Sequence, residues 1–250
     1  MREFSGIVDL PALFMVIGAL LVISLANGFA FKRSAAMAHG MLLEVALLFL
    51  LVSLVPLFED PLNFMTLPYV ASFALVTFAL AGFVTITLGA VGAASPPTAD
   101  VQPKRIFRIA AVVVLLVGIA YLAIGHTSLS GYFQMSAVVF VAAMLLWIYI
   151  MARFSGGDSI AQNLANALPS VAVLGMVVGI SAAVLDVYEA QFLLPLLGFG
   201  VNVVFLAILL RVLMQLVGWT DARLGSVHFL ALAALLSVAL GLVLMAQALA

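Results

Sequence analysis

The sequence contains no cysteine and few charged residues. Of its 250 positions, nine are lysine or arginine and ten are aspartate or glutamate. Without cysteine the chain cannot form disulfides, thiolate zinc sites or cysteine-ligated iron-sulfur clusters. With 8% charged and 67% hydrophobic residues, it has too little polar surface to cover a water-soluble globule. The low net charge and the scattered basic residues also argue against nucleic-acid binding. We therefore expect a membrane protein whose surroundings are the lipid bilayer.

Long apolar runs occupy most of the chain. A membrane-spanning helix needs about 20 mostly apolar residues. Segments of this kind lie at residues 8–31, 39–58, 66–92, 104–126, 131–152, 168–187, 192–217 and 226–248. They are apolar on nearly every face, whereas the strands of a transmembrane barrel alternate apolar and polar residues. The sequence therefore predicts an all-α fold, a polytopic integral membrane bundle of about eight transmembrane helices.

Two of the connecting segments carry further expectations. Residues 31–38 are predicted to form a short basic loop between the first two helices. Residues 156–166 begin with a Gly-Gly-Asp-Ser sequence and are predicted to form a loop that holds a short interfacial helix.

The basic residues indicate an orientation. If the N-terminus faces outward, eight of the nine fall at cytoplasmic helix ends, as the positive-inside rule requires. These eight are Lys32, Arg33, Lys104, Arg105, Arg108, Arg153, Arg211 and Arg223. We predict a multi-pass protein of a bacterial-type inner membrane, with both termini on the periplasmic side.

A shift of the chain against itself indicates an internal repeat. Moving it by 127 positions aligns Leu67-Pro68 with Leu194-Pro195 and Glu59 with Asp186. This predicts two parallel four-helix halves, residues 1–127 and 128–250, within one compact membrane domain. Because chance matches are common in sequences rich in Leu, Val and Ala, duplication and coincidence both remain open.

Glu44 and Arg211 are the ionisable residues that fall inside predicted membrane helices. Charges are costly in lipid, so such residues are candidates for function. Both lie at a similar depth near the predicted cytoplasmic face, and an ion pair between them would tie the two halves together or gate a vestibule. In the alternative interpretation, each side chain extends separately to nearby headgroups.

Four polar residues deeper in the predicted helices are candidates for lining an ion or solute pathway: Thr77, Thr85, Thr87 and Asn202. In the alternative, they bond only to their own backbone or to a neighbouring helix.

Small residues recur at helix-packing intervals, with Ala81 and Gly89 in the third helix and Gly175, Gly179 and Ala183 in the sixth. Such spacing lets helix backbones approach closely. It serves packing within one subunit, or contact with a second copy or another membrane protein.

The sequence carries no motif typical of an enzyme, and we expect no catalytic activity, cofactor or metal site. His39 and His228, both at predicted cytoplasmic helix ends, are the only pair that could hold a b-type haem between two imidazoles. Interfacial histidines are the simpler interpretation.

The N-terminal part of the chain, under half of its length, resembles the MotA/TolQ/ExbB proton-channel family of flagellar stator subunits. The Asp9-Leu10-Pro11 turn and the apolar run to Gly18 resemble a family helix that begins outside with an Asp-Pro-like turn. The hairpin with Glu59-Asp60-Pro61 and Thr77 looks like the family's last two helices. The chain departs from the pattern at Ala19-Leu20, where Gly-Thr is expected, and lacks the family's large cytoplasmic domain. The resemblance implies a proton channel that works with a partner, in which Thr77 faces the ion path.

These observations lead to one principal function and two alternatives. The principal function is an ion (proton) or small-solute pathway. The first alternative is a non-transporting scaffold subunit of a larger membrane complex. The second is a membrane enzyme acting on a lipid or quinone.

Overall fold

A computed structural model describes residues 10–59, 67–90, 104–124, 129–154, 159–185, 190–219 and 226–249. The regular structure of these residues is entirely helical, as expected. Eight α-helices run in order, α1 Leu10–Ala26, α2 Phe31–Glu59, α3 Leu67–Ala90, α4 Arg105–Ile124, α5 Met135–Phe154, α6 Ile160–Leu185, α7 Ala190–Val217 and α8 Ser226–Leu249. A short 3-10 helix, Leu129–Phe133, precedes α5.

Several of these helices fit a membrane protein. Five described stretches are long and apolar enough to cross a bilayer, at Phe31–Phe58, Arg105–Ile124, Gly131–Phe154, Ile160–Leu185 and Leu193–Val217. The described apolar stretches of the other three helices are shorter, at Pro11–Ala26, Val76–Ala90 and Ala231–Leu242. A helical membrane bundle is therefore supported, whereas the count of eight spans and the two parallel halves stay predictions.

Two helices begin earlier than predicted. α2 starts at Phe31, so the prediction of a basic loop at residues 31–38 is wrong. This segment holds good helix formers and no breaker, and its charges remain accessible at the helix end. α6 starts at Ile160, and the separate interfacial helix expected before residue 166 is instead its first turns. Ser159 acts as the N-cap, because its Oγ accepts the N–H of Gln162 at 3.3 Å.

The core lies around α2 and α7. α7 packs against α2, α4, α5, α6 and α8, and residues 201–209 are all buried. α4 and α5 lie at the periphery and expose large apolar side chains such as Tyr121, Leu146 and Trp147. An apolar outer surface of this kind is what contact with lipid requires.

The closest helix contact joins α6 to α7. A Cβ added at Gly175 would collide with the side chain of Val203. At Gly179 it would lie 2.8 Å from the carbonyl oxygen of Leu196 and 3.0 Å from Cα of Gly200. Only glycine fits at these two positions, so this part of the small-residue face of α6 is occupied by α7 within the subunit.

One end of the bundle gathers basic residues. Here Gly28, after α1, lies against the Phe107 ring of α4, since an added Cβ would be 3.4 Å from the ring. Arg108 of α4 donates from Nη1 to the carbonyl oxygen of Val217, the last residue of α7, at 2.9 Å. The ends of α1, α4 and α7 therefore meet. We call this the basic end; it carries Lys32, Arg33, Lys104, Arg105 and Arg108, and also Arg153 in the last turn of α5.

Candidate functional site

Glu44 of α2 and Arg211 of α7 form a salt bridge inside the bundle. Nε of Arg211 lies 3.0 Å from Oε2 of Glu44, and each side chain is only 1% exposed. Gln215 lies one turn further along the same face of α7 and donates from Nε2 to Oε1 of Glu44 at 3.4 Å. The structure thus brings together the two ionisable residues identified in the sequence, and both point inward rather than to the headgroup region.

The guanidinium of Arg211 has a second partner on α6. Its Nη1 donates to the carbonyl oxygen of Ala165 at 2.5 Å. In a regular helix this oxygen accepts the N–H of the residue four positions later, which here is Pro169. Proline has no N–H, so Pro169 leaves the carbonyl of Ala165 without its helical donor. Arg211 supplies the missing hydrogen bond and so joins α2, α6 and α7 at one point.

At a second proline, the freed backbone carbonyl is satisfied by a neutral side chain. Pro56 lies inside α2 and cannot donate to the carbonyl oxygen of Val52, four positions earlier. The hydroxyl of Tyr132, in the 3-10 helix, donates to that oxygen at 2.8 Å. The ring of Tyr132 packs against Phe205 of α7 with centroids 5.8 Å apart. At both prolines, therefore, a side chain from another part of the chain satisfies the freed carbonyl.

The ion pair lies within the apolar part of the bundle but nearer to the basic end. Arg211 is six residues before the end of α7, about 9 Å along the axis, and Ala165 is about 8 Å from the start of α6. Glu44 is thirteen residues, or about 20 Å, from the start of α2, which is deeper than the sequence predicted because α2 begins earlier.

The three candidate threonines all bond to their own helix α3. Thr77 donates to the carbonyl of Phe73 at 2.7 Å, and Thr85 and Thr87 donate at 2.8 Å to the carbonyls four residues before them. Thr87 is exposed on the outside of the bundle. Their hydroxyl protons are thus used in local backbone hydrogen bonds, the alternative considered for them above.

Thr77 lines a small cavity between α1, α2 and α3. It has no room for the centre of a water molecule. The other lining side chains are apolar, from Met15, Val16, Ala19, Leu42, Ala46 and Phe49. Thr77 therefore faces apolar side chains in a narrow gap between three helices.

Asn202 is buried in α7 but stands apart from the ion pair. Its Nδ2 donates to the carbonyl of Gly198 at 3.1 Å, and its Oδ1 has no hydrogen-bond partner among the described residues. Nine residues separate Asn202 from Arg211, which is two and a half turns or about 14 Å, so the two lie on opposite sides of α7. The candidate polar residues consequently lie in separate places and do not form one continuous line.

The remaining candidates take part in packing. Ala81 and Ala183 are fully buried, and Gly89 faces the imidazole of His39, with an added Cβ 3.2 Å from Cε1. His39 lies inside α2 rather than at a helix end, and its Nδ1 is 3.0 Å from the carbonyl oxygen of Thr85. Nε2 of His228 lies 3.2 Å from Oγ of Ser170 on α6. Each histidine thus contacts a different helix.

Sequence reasoning missed three members of this arrangement: Gln215, Tyr132 and the carbonyl of Ala165. One signal was available. A proline within a predicted membrane helix identifies the carbonyl four residues before it as needing a donor, and for Pro56 this points to Val52. Ala165 precedes the predicted segment 168–187, so the same reasoning reaches it only once α6 is seen to begin at Ile160. Which side chain would supply the donor depends on the tertiary fold.

No family model, curated protein or solved structure matches this chain.

Proposed function

We propose that this chain is a multi-pass membrane protein that provides a pathway for protons or another small cation, with Glu44 as the ion-binding group. The observation that carries the proposal is the buried contact of the Glu44 carboxylate with Arg211 and Gln215 at the junction of three helices. A carboxylate in the interior of an apolar bundle is the kind of group that binds and releases cations in membrane transport proteins.

Packing requirements alone do not account for the charges. The carbonyl freed by Pro56 is satisfied by the neutral hydroxyl of Tyr132. The equivalent carbonyl freed by Pro169 is satisfied by a guanidinium, which in turn needs a carboxylate beside it. Buried ion pairs are on average no more stabilising than apolar residues of the same volume, because desolvation offsets their attraction. A hydroxyl would have satisfied the carbonyl of Ala165 as well. The use of Arg211 and Glu44 in its place supports a function for these charges beyond stabilising the fold.

The arrangement also supports a mechanism. Arg211 is shared between Glu44 on α2 and the proline-freed carbonyl of α6. A cation or proton that neutralises Glu44 competes with Arg211, and this weakens the tie among the three helices. In this proposal, the narrow gap at Thr77 and the distance of Asn202 from the ion pair belong to the closed state from which such a release would start. The resemblance to proton-channel proteins is consistent with a proton as the ion.

The proposal is tested by proton and cation flux into liposomes that contain the purified protein. We expect flux above that of empty liposomes, and a reduction of at least about tenfold in Glu44→Gln, a lower bound because a proton-transfer group in an enzyme typically contributes about 100-fold or more. Asn202→Leu tests whether the ion path continues past Asn202 to the end of the bundle opposite the basic end; if it does, this variant should also reduce flux. The matched control is Thr87→Val, which removes an exposed hydroxyl that bonds only to its own helix. Size-exclusion profiles and thermal unfolding establish that each variant is folded.

A second function, a non-transporting scaffold subunit, is favoured by a different observation. The three threonines of α3 bond to their own helix, and the gap beside Thr77 is too narrow for water. Absence of flux for the wild-type protein, or equal flux for wild type and Glu44→Gln, would contradict the pathway. The scaffold would then be the better explanation, and partners that purify with the protein would identify its complex.

A further inference from the structure

Exposed aromatic and basic side chains lie together at the basic end. Phe29 and Phe31 between α1 and α2, and Trp219 after α7, are 63%, 78% and 63% exposed. Lys32, Lys104 and Arg105 are also exposed. These residues lie at the junction of α1 and α2, at the start of α4 and after α7. The contacts of Gly28 with Phe107 and of Arg108 with Val217 bring the three segments to one corner of the bundle.

The turn that presents Phe29 is held in an uncommon backbone conformation. Gly28 and Phe29 have φ of 62° and 60°, in the left-handed region that residues other than glycine rarely adopt. The N–H of Phe29 donates to the carbonyl of Ser24 at 2.8 Å. Nδ2 of Asn27 bonds to the carbonyl of Ile23 at 2.9 Å and approaches Sδ of Met37 at 3.0 Å, which fixes the turn against α2. The turn therefore directs a large apolar ring outward, where water would disfavour it.

We propose that this corner binds the headgroup of an anionic phospholipid, with Phe29, Phe31 and Trp219 at the level of the glycerol backbone and Lys32 and Arg105 at the phosphate. Aromatic rings favour the membrane interface, and basic residues beside it attract anionic lipids. The described residues include only two acidic ones, Glu44 and Glu59. Glu44 is buried in the ion pair, and Glu59 ends α2 at the opposite side of the bundle, so neither neutralises the corner.

Trp219 is a built-in reporter for this site. The chain has two tryptophans, and the other, Trp147, lies on the exposed face of α5. In a Trp147→Phe background, Trp219 is the only source of tryptophan fluorescence. The protein is placed in vesicles of phosphatidylglycerol and phosphatidylcholine in which either one lipid or the other carries bromine, a short-range quencher. The ratio of quenching by the two brominated lipids measures the relative binding constant of the anionic lipid at Trp219.

We expect phosphatidylglycerol to be preferred by at least about tenfold at low salt, since Lys32 and Arg105 each contribute about a factor of five to binding of an anionic headgroup. Lys32→Gln with Arg105→Gln should lower the preference by about tenfold or abolish it. High salt should lower it as well, because the charges are exposed. The control Arg153→Gln removes one exposed positive charge from the last turn of α5 and should leave the preference unchanged.

Equal quenching by the two lipids in the protein with native basic residues would overturn the proposal. So would a loss in Arg153→Gln as large as in the double variant, because it would show a general attraction by net charge rather than a site at this corner. The proposal depends on a membrane location but not on ion flux, so it stands or fails independently of the function assigned to Glu44.

Discussion

The hydroxyl of Tyr132 should stabilise the protein only as long as Pro56 is present. Tyr132→Phe keeps the buried ring against Phe205 and removes the donor to the carbonyl of Val52. With proline at position 56, the helix offers that carbonyl no replacement. With Pro56→Ala, the new backbone N–H can donate to Val52 in the ordinary helical way, and the hydroxyl becomes largely redundant.

The size of the effect follows from the surroundings of the carbonyl. A buried carbonyl that loses its donor costs about 1–3 kcal/mol in soluble proteins. Hydrogen bonds between membrane helices average about 0.6 kcal/mol, with a maximum near 1.7, because alternative partners are often found. Val52 has no such alternative within its own helix, so we expect about 1.5 kcal/mol for Tyr132→Phe, near the upper end of that range. In the Pro56→Ala background the same change should cost about 0.5 kcal/mol or less, a coupling of about 1 kcal/mol.

The measurement is a double-mutant cycle on the free energy of unfolding in lipid bicelles. It uses wild type, the two single variants and the double variant. Tyr121→Phe is the control, because Tyr121 is exposed on α4 and the loss of its hydroxyl should change stability little. If Tyr132→Phe costs the same with and without Pro56, the hydroxyl does not compensate for the proline, and the parallel explanation of Arg211 loses its support.

Three further changes test other contacts through the same unfolding free energy. Arg211→Met should destabilise the protein by about 3–5 kcal/mol because it leaves the buried carboxylate of Glu44 without its cation, and adding Glu44→Met should restore most of the loss; no recovery would show that the ion pair is not the source of the defect. Gly175→Ala should cost about 1–3 kcal/mol through collision with Val203, and Val203→Ala should relieve it, whereas a neutral Gly175→Ala would mean that α6 and α7 are further apart than described. Gly218→Ala should cost about 1–2 kcal/mol because φ at this position is +79°, and an unchanged stability would refute the left-handed turn at the end of α7.

Much of the fold is predictable from the sequence because lipid restricts the possible structures. An apolar segment of sufficient length has to form a helix to satisfy its backbone, so residues such as 104–126 and 192–217 identify α4 and α7 closely. The starts of α2 and α6 are less predictable. Lys32 and Arg33 lower the local hydropathy without breaking α2, and Gln162, Asn163 and Asn166 do the same in the first turns of α6. In both cases the prediction followed apolarity, whereas the helix follows backbone hydrogen bonding.

The candidate site is predictable only in part. The burial cost of charge identifies Glu44 and Arg211, and a similar depth suggests that they can meet. The same reasoning selected Thr77 and Asn202, which the structure separates into different helix interfaces. Polarity alone cannot distinguish a threonine that bonds to its own helix from one that lines a path, because both lower the local apolarity equally. Helix rotation and crossing decide between them, and these are set by packing across the whole bundle.

The two proline contacts differ in the charge of the group that satisfies the freed carbonyl. At Pro56 the freed carbonyl is held by a neutral hydroxyl, and no ion can replace that bond directly. At Pro169 it is held by Arg211, whose position depends on the charge of Glu44. Neutralising Glu44 removes the charge partner of Arg211 on α2, whereas the bond at Pro56 involves no charged group. If an ion binds Glu44 as proposed, the first contact to change should be the one between α2 and α7 beside Arg211, while the contact of Tyr132 with Val52 near the other end of α2 should remain as it is.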